Sequence, residues 1–204
     1  MPRTKEQFEE MRNATKEKIQ AAAMELFARK GLAATNVQEI ADTADISIGL
    51  LYRHYKTKEE LFYELVDFAH KGLMELNLRL QSDASPRELI KQIIKEVYND
   101  LAVNNDFVNL MILLTQAVLQ REEGSKLSGL LDQDYIMIQA LAGLIRLGQE
   151  AGEFRRGDPY EMSVFFFSAV QGLAISKKAF GAAFRMPAES MLTQIFYDER
   201  KELI

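Results

Sequence analysis

The 204-residue chain contains no cysteine. This absence excludes disulfides, thiolate metal ligands and cysteine nucleophiles, and it is typical of proteins in a reducing compartment. The sequence also begins without the apolar segment of a signal peptide. Its longest apolar stretch, residues 162–175, is interrupted by Ser163, Ser168 and Gln171 and is too short to cross a bilayer. We therefore expect a cytoplasmic protein with no membrane partner.

Histidine is scarce as well, since only His54 and His70 occur. Neither lies in a recognisable setting for nucleophilic catalysis. Glu64, Asp67 and His70 share a helical spacing that is faintly like half of a carboxylate-bridged metal site, but the chain lacks the Glu-x-x-His motifs that such a di-iron bundle needs. The sequence thus predicts no enzyme, no metal site and no other cofactor.

Glycine and proline are few, eleven and four, and alternating polar and apolar residues are rare. Apolar residues instead recur at helical spacing almost everywhere. This periodicity predicts an all-α fold of about nine helices. We expect two helical domains, a three-helix domain over 1–60 and a longer one over 61–204. The polar break at 82–86 is the clearest interruption of the pattern.

Acidic residues outnumber basic ones, and the formal net charge is −5. The deficit lies beyond residue 60, because residues 1–60 hold ten basic and ten acidic side chains. Within that segment Arg53, His54, Lys56 and Lys58 form a run without acids. Any contact with a polyanion must therefore be local.

Two short helices are expected to follow the first helix closely. A capping box opens the earlier of them, formed either by Asn36 with Glu39 or by Thr35 with Gln38. Ser47 can cap the later one after a turn of about three residues. Two helices joined in this way form a helix-turn-helix, whose second helix can enter a DNA major groove.

The later short helix has features that suit DNA. Gly49 weakens a helix by about 1 kcal/mol relative to alanine, and close approach of another backbone would explain its presence. Tyr52 and Lys58 carry donors suited to phosphate oxygens. Lys58 lies in the first turn of the next helix, where its charge opposes the dipole, so a polyanion would supply a partner that the helix does not. Taken singly, these residues are also explained as a solvated helix surface.

The segment "GLAATNVQEIADTADISIGLLYRHYKTKEEL", residues 31–61, resembles the DNA-binding segment of the TetR family of bacterial transcriptional regulators. The similarity is dense over about 15–65 and weaker in "GQEAGEFRRGDP" (148–159) and "QGLA" (171–174). It implies a helix-turn-helix DNA-binding domain over 1–60 and an effector-binding and dimerisation domain over 61–204. The protein would then be a regulator, usually a repressor, that binds a palindromic double-stranded DNA operator as a homodimer and is released by a small effector. A helical ligand- or protein-binding module whose helix-turn-helix does not act on DNA is the alternative.

The resemblance also implies roles for individual residues. Thr35, Tyr52 and Lys58 match frequent phosphate contacts, and Ser47 begins the edge that reads the bases. The expected DNA-binding residues are Thr35, Asn36, Ser47, Ile48, Gly49, Leu50, Tyr52, Arg53, His54 and Lys58.

Three positions depart from the pattern of the family. Asp45 stands where glycine is usual in the turn, Ile48 where lysine is frequent, and Leu50 where threonine is frequent. An apolar edge of this kind favours contact with thymine methyl groups over guanine edges.

Dimerisation needs an apolar face, and the predicted eighth and ninth helices, which begin at Pro159 and Pro187, offer one. Small residues recur there at helical spacing and would let a second helix approach closely. The expected interface residues are Phe165, Ala169, Gly172, Ser176, Ala179, Met191, Leu192 and Ile195. The alternative is that the stripe packs inside one chain.

The fifth to seventh predicted helices are expected to enclose a cavity for an apolar or aromatic effector. Its candidate lining is His70, Tyr98, Phe107, Met111, Thr115, Met137 and Phe166. Each of these residues is equally well explained as core. On the sixth helix, Asn109, Leu113, Gln116 and Gln120 share a stripe that should face water or another subunit.

Overall fold

The computed structural model describes residues 5–119 and 130–197, with side chains from 135 onward in the second range. This part of the chain is all-α, as the periodicity predicted. The helices are α1 Lys5–Ala34, α2 Val37–Thr43, α3 Ile48–His54, α4 Lys58–Leu80, α5 Pro86–Val103, α6 Asn105–Leu119, α7 Leu130–Glu150, α8 Pro159–Phe180 and α9 Ser190–Thr193, with a 3-10 turn at Gly181–Ala183 before α9. Gln120, the last residue of the predicted stripe on the sixth helix, lies outside the described residues.

Side-chain caps set the short helices at the predicted places. Of the two possible capping boxes, the structure forms the one in which Asn36 Oδ1 accepts from Gln38 N at 2.9 Å and Glu39 Oε2 accepts from Asn36 N at 3.0 Å. Ser47 Oγ accepts from Leu50 N at 3.2 Å and begins α3. The polar atoms at the helix starts are therefore satisfied locally, which fixes the direction of both helices.

The turn between α2 and α3 explains one departure from the family pattern. Asp45 has φ 53°, and no other described non-glycine residue has a positive φ. Glycine adopts this left-handed conformation at no steric cost, and aspartate is among the few other residues that tolerate it. The turn is thus retained, and Ile46 N still donates to Ala41 O at 3.0 Å.

Buried residues form two separate clusters. The first joins α1, α2, α3 and the start of α4, from Ile19 through Phe27, Ile40 and Leu51 to Val66. It also includes two α6 residues, Leu113 and Ala117, both fully buried. A helix of the C-terminal region is therefore part of the core of the helix-turn-helix domain.

This contact corrects the expectation for α6. Asn109 and Leu113 do not face water, because α6 packs along α1 and both side chains are buried there. Asn109 Oδ1 accepts from Lys178 Nζ at 2.6 Å, and burial lowers the pKa of Lys178. These two positions of the stripe therefore make contacts within one chain.

The second cluster joins α5, α7, α8 and the segment around α9. At its centre Phe154, Phe166 and Phe196 meet through ring contacts, with centroids 6.0 Å apart for Phe154 with Phe196 and 5.3 Å apart for Phe166 with Phe196. The prediction of a ninth helix from Pro187 is wrong in extent, because α9 has only four residues. Leu192 and Ile195 are buried in this core, so they are not available to a partner chain. The prediction that these two residues lie in the dimer interface is therefore wrong, and both belong to the core.

No single helix among the described residues is both long enough and apolar enough to span a membrane, and one pair, α5 with α6, reaches that length only together across a 100° bend.

Gly148 allows the turn after α7 to close over the core. A Cβ at this position would lie 2.2 Å from Cδ2 of Phe154, whose ring is buried. We expect Gly148→Ala to lower the free energy of unfolding by about 1–3 kcal/mol, because the ring has no space to move into. Chemical denaturation measures this change.

Gly143→Ala, one turn earlier on α7, is the matched control. No atom lies within 4 Å of a Cβ built there, so alanine should be neutral or stabilise the helix by up to about 1 kcal/mol. Equal effects of the two substitutions would contradict the packing argument.

Candidate DNA-binding surface and ligand cavity

The outer face of α3 is exposed, and its inner face is buried in the core. Leu51 and Tyr55 are buried against α1 and α4. Ile48 and Tyr52 lie on the outside, 37% and 50% exposed, with Arg53 exposed beside them. This seven-residue helix thus presents apolar, aromatic and basic groups on one accessible surface.

Gly49 makes the centre of that surface flat. No atom lies within 4 Å of a Cβ built at Gly49, so nothing inside the described chain requires glycine there. Since glycine weakens the helix, the open space favours close approach of an external backbone.

Two residues that were predicted to contact phosphates, Lys58 and Thr35, have hydrogen-bond partners within the chain. Lys58 Nζ donates to Leu32 O at 2.8 Å, Ala33 O at 3.1 Å and Thr35 O at 2.9 Å. The expectation that Lys58 lacks a local partner is therefore wrong: it caps the carbonyl end of α1. Thr35 is buried, and its hydroxyl donates to Gly31 O at 2.7 Å. Both residues hold the junction between α1 and α2.

The remaining predicted DNA-binding residues take different places. Ser47 and Asn36 are exposed, with their side chains serving as helix caps. Leu50 is half-buried between the outer surface and the core. His54 is also half-buried, and burial together with the positive charges of Arg12 and Lys16 lowers its pKa.

The sequence analysis did not predict that α1 places positive charges near His54. Arg12 and Lys16 lie close enough to His54 to act on its charge, although both precede the segment with the helix-turn-helix pattern. Lys16 Nζ is also paired with Glu64 at 2.6 Å. The only signal in the sequence is their four-residue spacing on α1, which places them on one helical face.

A cavity of about 550 Å³ lies between α4, α6, α7 and α8. Fifteen described residues line it, and four of them have polar side chains, namely His70, Thr115, Ser168 and Gln171. Size and apolar lining are those of a small-molecule site.

Four of the seven predicted lining residues are in this wall: His70, Met111, Thr115 and Met137. Tyr98, Phe107 and Phe166 are not. The hydroxyl of Tyr98 donates to Pro187 O at 3.0 Å, and Phe166 packs in the aromatic centre of the second cluster. Phe107 packs against that same cluster. The adjacent Phe167 lines the cavity in place of Phe166. Which of three consecutive phenylalanines faces the cavity depends on how α8 is rotated about its axis. The sequence alone does not indicate that rotation.

A wider cleft lies between α1, α6 and the end of α8. Two of its three lysines have partners within the chain, since Lys177 Nζ donates to Leu101 O and Ala102 O and Lys178 donates to Asn109. Because it is open and of mixed charge, it is a weaker candidate for an apolar ligand than the smaller cavity.

One face of α8 is exposed along its length. The exposed positions are Phe165, Ser168, Gly172, Ile175 and Ala179, with Phe165 64% and Ile175 46% exposed. Phe165, Gly172 and Ala179 were predicted there, whereas Ala169 and Ser176 are half-buried.

Apolar side chains are also exposed outside α8, and Leu147 and Met191 are among them. Leu147 on α7, the helix packed along α8, is 57% exposed. Met191, a predicted interface residue, is 60% exposed, but α9 offers no extended face beside it.

These features define a helix-turn-helix DNA-binding protein with a cavity-bearing helical region. The sequence pattern described as "Bacterial regulatory proteins, tetR family" matches residues 19–65. The chain is 28% identical over 179 residues to the HTH-type transcriptional regulator TtgR of Pseudomonas putida, a match that covers 84% of this chain and 81% of TtgR. Residues 19–65 thus carry the DNA-binding segment of the TetR family, and the similarity to TtgR extends over most of the chain. Proteins of this family are DNA-binding regulators rather than enzymes.

Two further similarities differ in extent. An uncharacterized HTH-type transcriptional regulator of Bacillus subtilis (strain 168), YerO, is 32% identical over 117 residues, which is 56% of this chain but 40% of YerO. The solved structure of AibR in complex with isovaleryl coenzyme A and operator DNA matches with a TM-score of 0.65 and 17% identity, over 88% of this chain and 94% of AibR. At that identity the likeness concerns the fold.

Proposed function

We propose that the protein is a cytoplasmic repressor that binds a palindromic operator as a homodimer and leaves it when a small, mostly apolar effector enters the cavity. The observation that carries the proposal is the double role of α4 and α6. Both helices line the cavity, and both supply side chains to the core that supports α3. Occupancy of the cavity and the position of the recognition helix are thus coupled through shared helices.

The operator contacts are assigned to the exposed edge of α3. Ile48 and Gly49 approach the bases, and Ile48 suits thymine methyl groups. Tyr52 and Arg53 donate to phosphates on either side of the groove. Ser47 and Asn36 add contacts at the start of the two short helices, next to the backbone N–H groups that they cap.

A dimer is needed because a helix of seven residues touches few base pairs. The face centred on Gly172 of α8, extended by Leu147 of α7, meets the same face of a second chain across a two-fold axis. Four helices then form a bundle, in which the small residues permit close crossing.

Release follows from a shift in populations. An effector that fits one setting of α4 and α6 better than another changes the distance between the two recognition helices of the dimer. Met111 and Thr115 face the cavity, while Leu113 and Ala117 of the same helix face α1. The two faces of α6 cannot move independently.

A binding assay with DNA upstream of the protein's own gene tests the proposal. We expect Tyr52→Ala to weaken binding roughly five- to tenfold, as for loss of a hydrogen bond of about 1–1.4 kcal/mol. Affinity should also fall steeply with salt. Fluorescence anisotropy over a salt series measures both effects.

Tyr160→Ala is the matched control, because Tyr160 is 47% exposed at the start of α8, far along the chain from α3. It should leave affinity unchanged. Equal affinities for the Tyr52 and Tyr160 variants would remove Tyr52 from the interface. Absence of binding at any salt concentration would instead favour a helical module that does not act on DNA.

A further inference from the structure

We infer that the effector is a neutral, largely apolar molecule with a hydroxyl or carbonyl group, and that His70 of α4 is its polar anchor. The inference rests on the proposed function, since it names the class of ligand that the same cavity takes. Three observations carry it: an unpaired buried nitrogen, a polar pair that is already satisfied, and the uncharged character of the described wall.

His70 contributes the unpaired group. Its Nε2 is buried and has no hydrogen-bond partner in the part of the chain that the structure describes. A buried polar atom without a partner costs free energy, and most such atoms in native proteins are paired. His70 also lines the cavity, so a turn of its imidazole ring that brings Nε2 to the cavity wall would let a ligand supply the missing partner.

The hydroxyl of Thr115 makes no such demand. Gln171 Nε2 donates to Thr115 Oγ1 at 2.6 Å, and Thr115 Oγ1 donates to Met111 O at 2.9 Å. This chain is closed within the protein, so an oxygen on the ligand gains more from His70 than from Thr115. Thr115 was predicted to line the effector cavity. Its hydroxyl is therefore a structural link between α6 and α8 rather than the first ligand contact.

The wall also selects against charge. Among the described lining residues no lysine, arginine, aspartate or glutamate occurs. An ionised carboxylate or phosphate would lose its hydration there without gaining an opposite charge. A neutral oxygen keeps one hydrogen bond and loses little.

The position of His70 gives the anchor a regulatory consequence. α4 begins at Lys58, whose ammonium group holds the junction of α1 and α2, and it packs Phe62 and Val66 into the first core. A ligand bonded to His70 therefore acts on the helix that supports α3. Apolar contacts alone would fill the cavity without favouring one setting of α4 through a directed bond.

Calorimetry on the DNA-free protein tests the inference with two sets of probes at neutral pH. The first set is naphthalene, 1-naphthol and 1-naphthoate, and the second is 1-decanol and decanoate. We expect each alcohol to bind at least tenfold more tightly than the matching carboxylate, and 1-naphthol more tightly than naphthalene. Tighter binding of the carboxylates would overturn the inference.

His70→Phe should reduce affinity for 1-naphthol to that for naphthalene and leave naphthalene itself unchanged. His70→Gln, which retains a hydrogen-bonding side chain, should restore part of the preference and remains informative if the phenylalanine variant fails to fold. His54→Phe is the matched control, since His54 lies on α3 outside the cavity. An unchanged preference for 1-naphthol in both His70 variants would remove His70 as the anchor.

Release of operator DNA is measured separately by anisotropy. Selective binding of the alcohols without release would contradict the proposed regulation but support the ligand class. Release by carboxylates alone would contradict the ligand class but support the regulation. The two failures are thus distinguishable.

Discussion

Replacing Leu147 and Phe165 together by glutamate is expected to convert the proposed dimer into a monomer and to weaken operator binding by at least about 100-fold. Both side chains are exposed, Leu147 on α7 to 57% and Phe165 on α8 to 64%, and the proposed dimer face includes them. At a two-fold interface the change brings four carboxylates together in a region that loses water, where like charges repel strongly. Two half-sites bound through one dimer gain about 10²–10⁴ in avidity, and a monomer loses that gain. Analytical ultracentrifugation measures the assembly, and anisotropy measures the affinity.

The matched control is the double variant Phe68→Glu with Leu78→Glu. These two side chains are 64% and 69% exposed on α4, so the change in composition and exposure is nearly the same. We expect this variant to remain dimeric. If both double variants became monomers, the effect would come from added charge in general, and the face on α7 and α8 would no longer be assigned to the interface.

Much of the N-terminal fold could be predicted because its signals are local. A capping residue and the apolar residues of a short helix lie within a few positions of each other, so Ser47 and Leu51 define α3 without knowledge of the rest of the chain. Pro86 and Pro159 begin α5 and α8 for the same reason. Such signals need no tertiary contact to be read.

Lys58 shows why side-chain roles were harder to predict. Its position in the sequence is that of an exposed residue in a first helical turn, where a positive charge is unfavourable. The carbonyls that bind it lie more than twenty residues earlier, at the end of α1. Only the path of the chain around α3 brings the two together, and that path is a tertiary property.

The prediction for the α9 region was wrong for a different reason. Leu192 and Ile195 have helical spacing, which predicts a buried side but not what covers it. In the structure the aromatic core around Phe154 and Phe196 covers them, and the helix ends after four residues. Periodicity therefore identified the buried residues correctly and assigned them to the wrong partner.

Leu113→Ala is expected to destabilise the helix-turn-helix domain although Leu113 belongs to α6. The side chain is fully buried in the first cluster, and truncating a buried leucine costs about 2–5 kcal/mol. Because the cavity it leaves is next to α1, local opening of α1 and α2 should become more frequent. We expect faster amide hydrogen exchange in both helices and weaker operator binding, measured by mass spectrometry and anisotropy.

Leu101→Ala separates this coupling from a general loss of stability. Leu101 is equally buried, but it lies on α5 in the second cluster. A similar loss in the free energy of unfolding is expected, with exchange increased in α5 and little change in α1. If Leu101→Ala loosened α1 as much as Leu113→Ala, the two clusters would unfold as one unit. The shared helix α6 would then carry no special coupling between the cavity and the recognition helix.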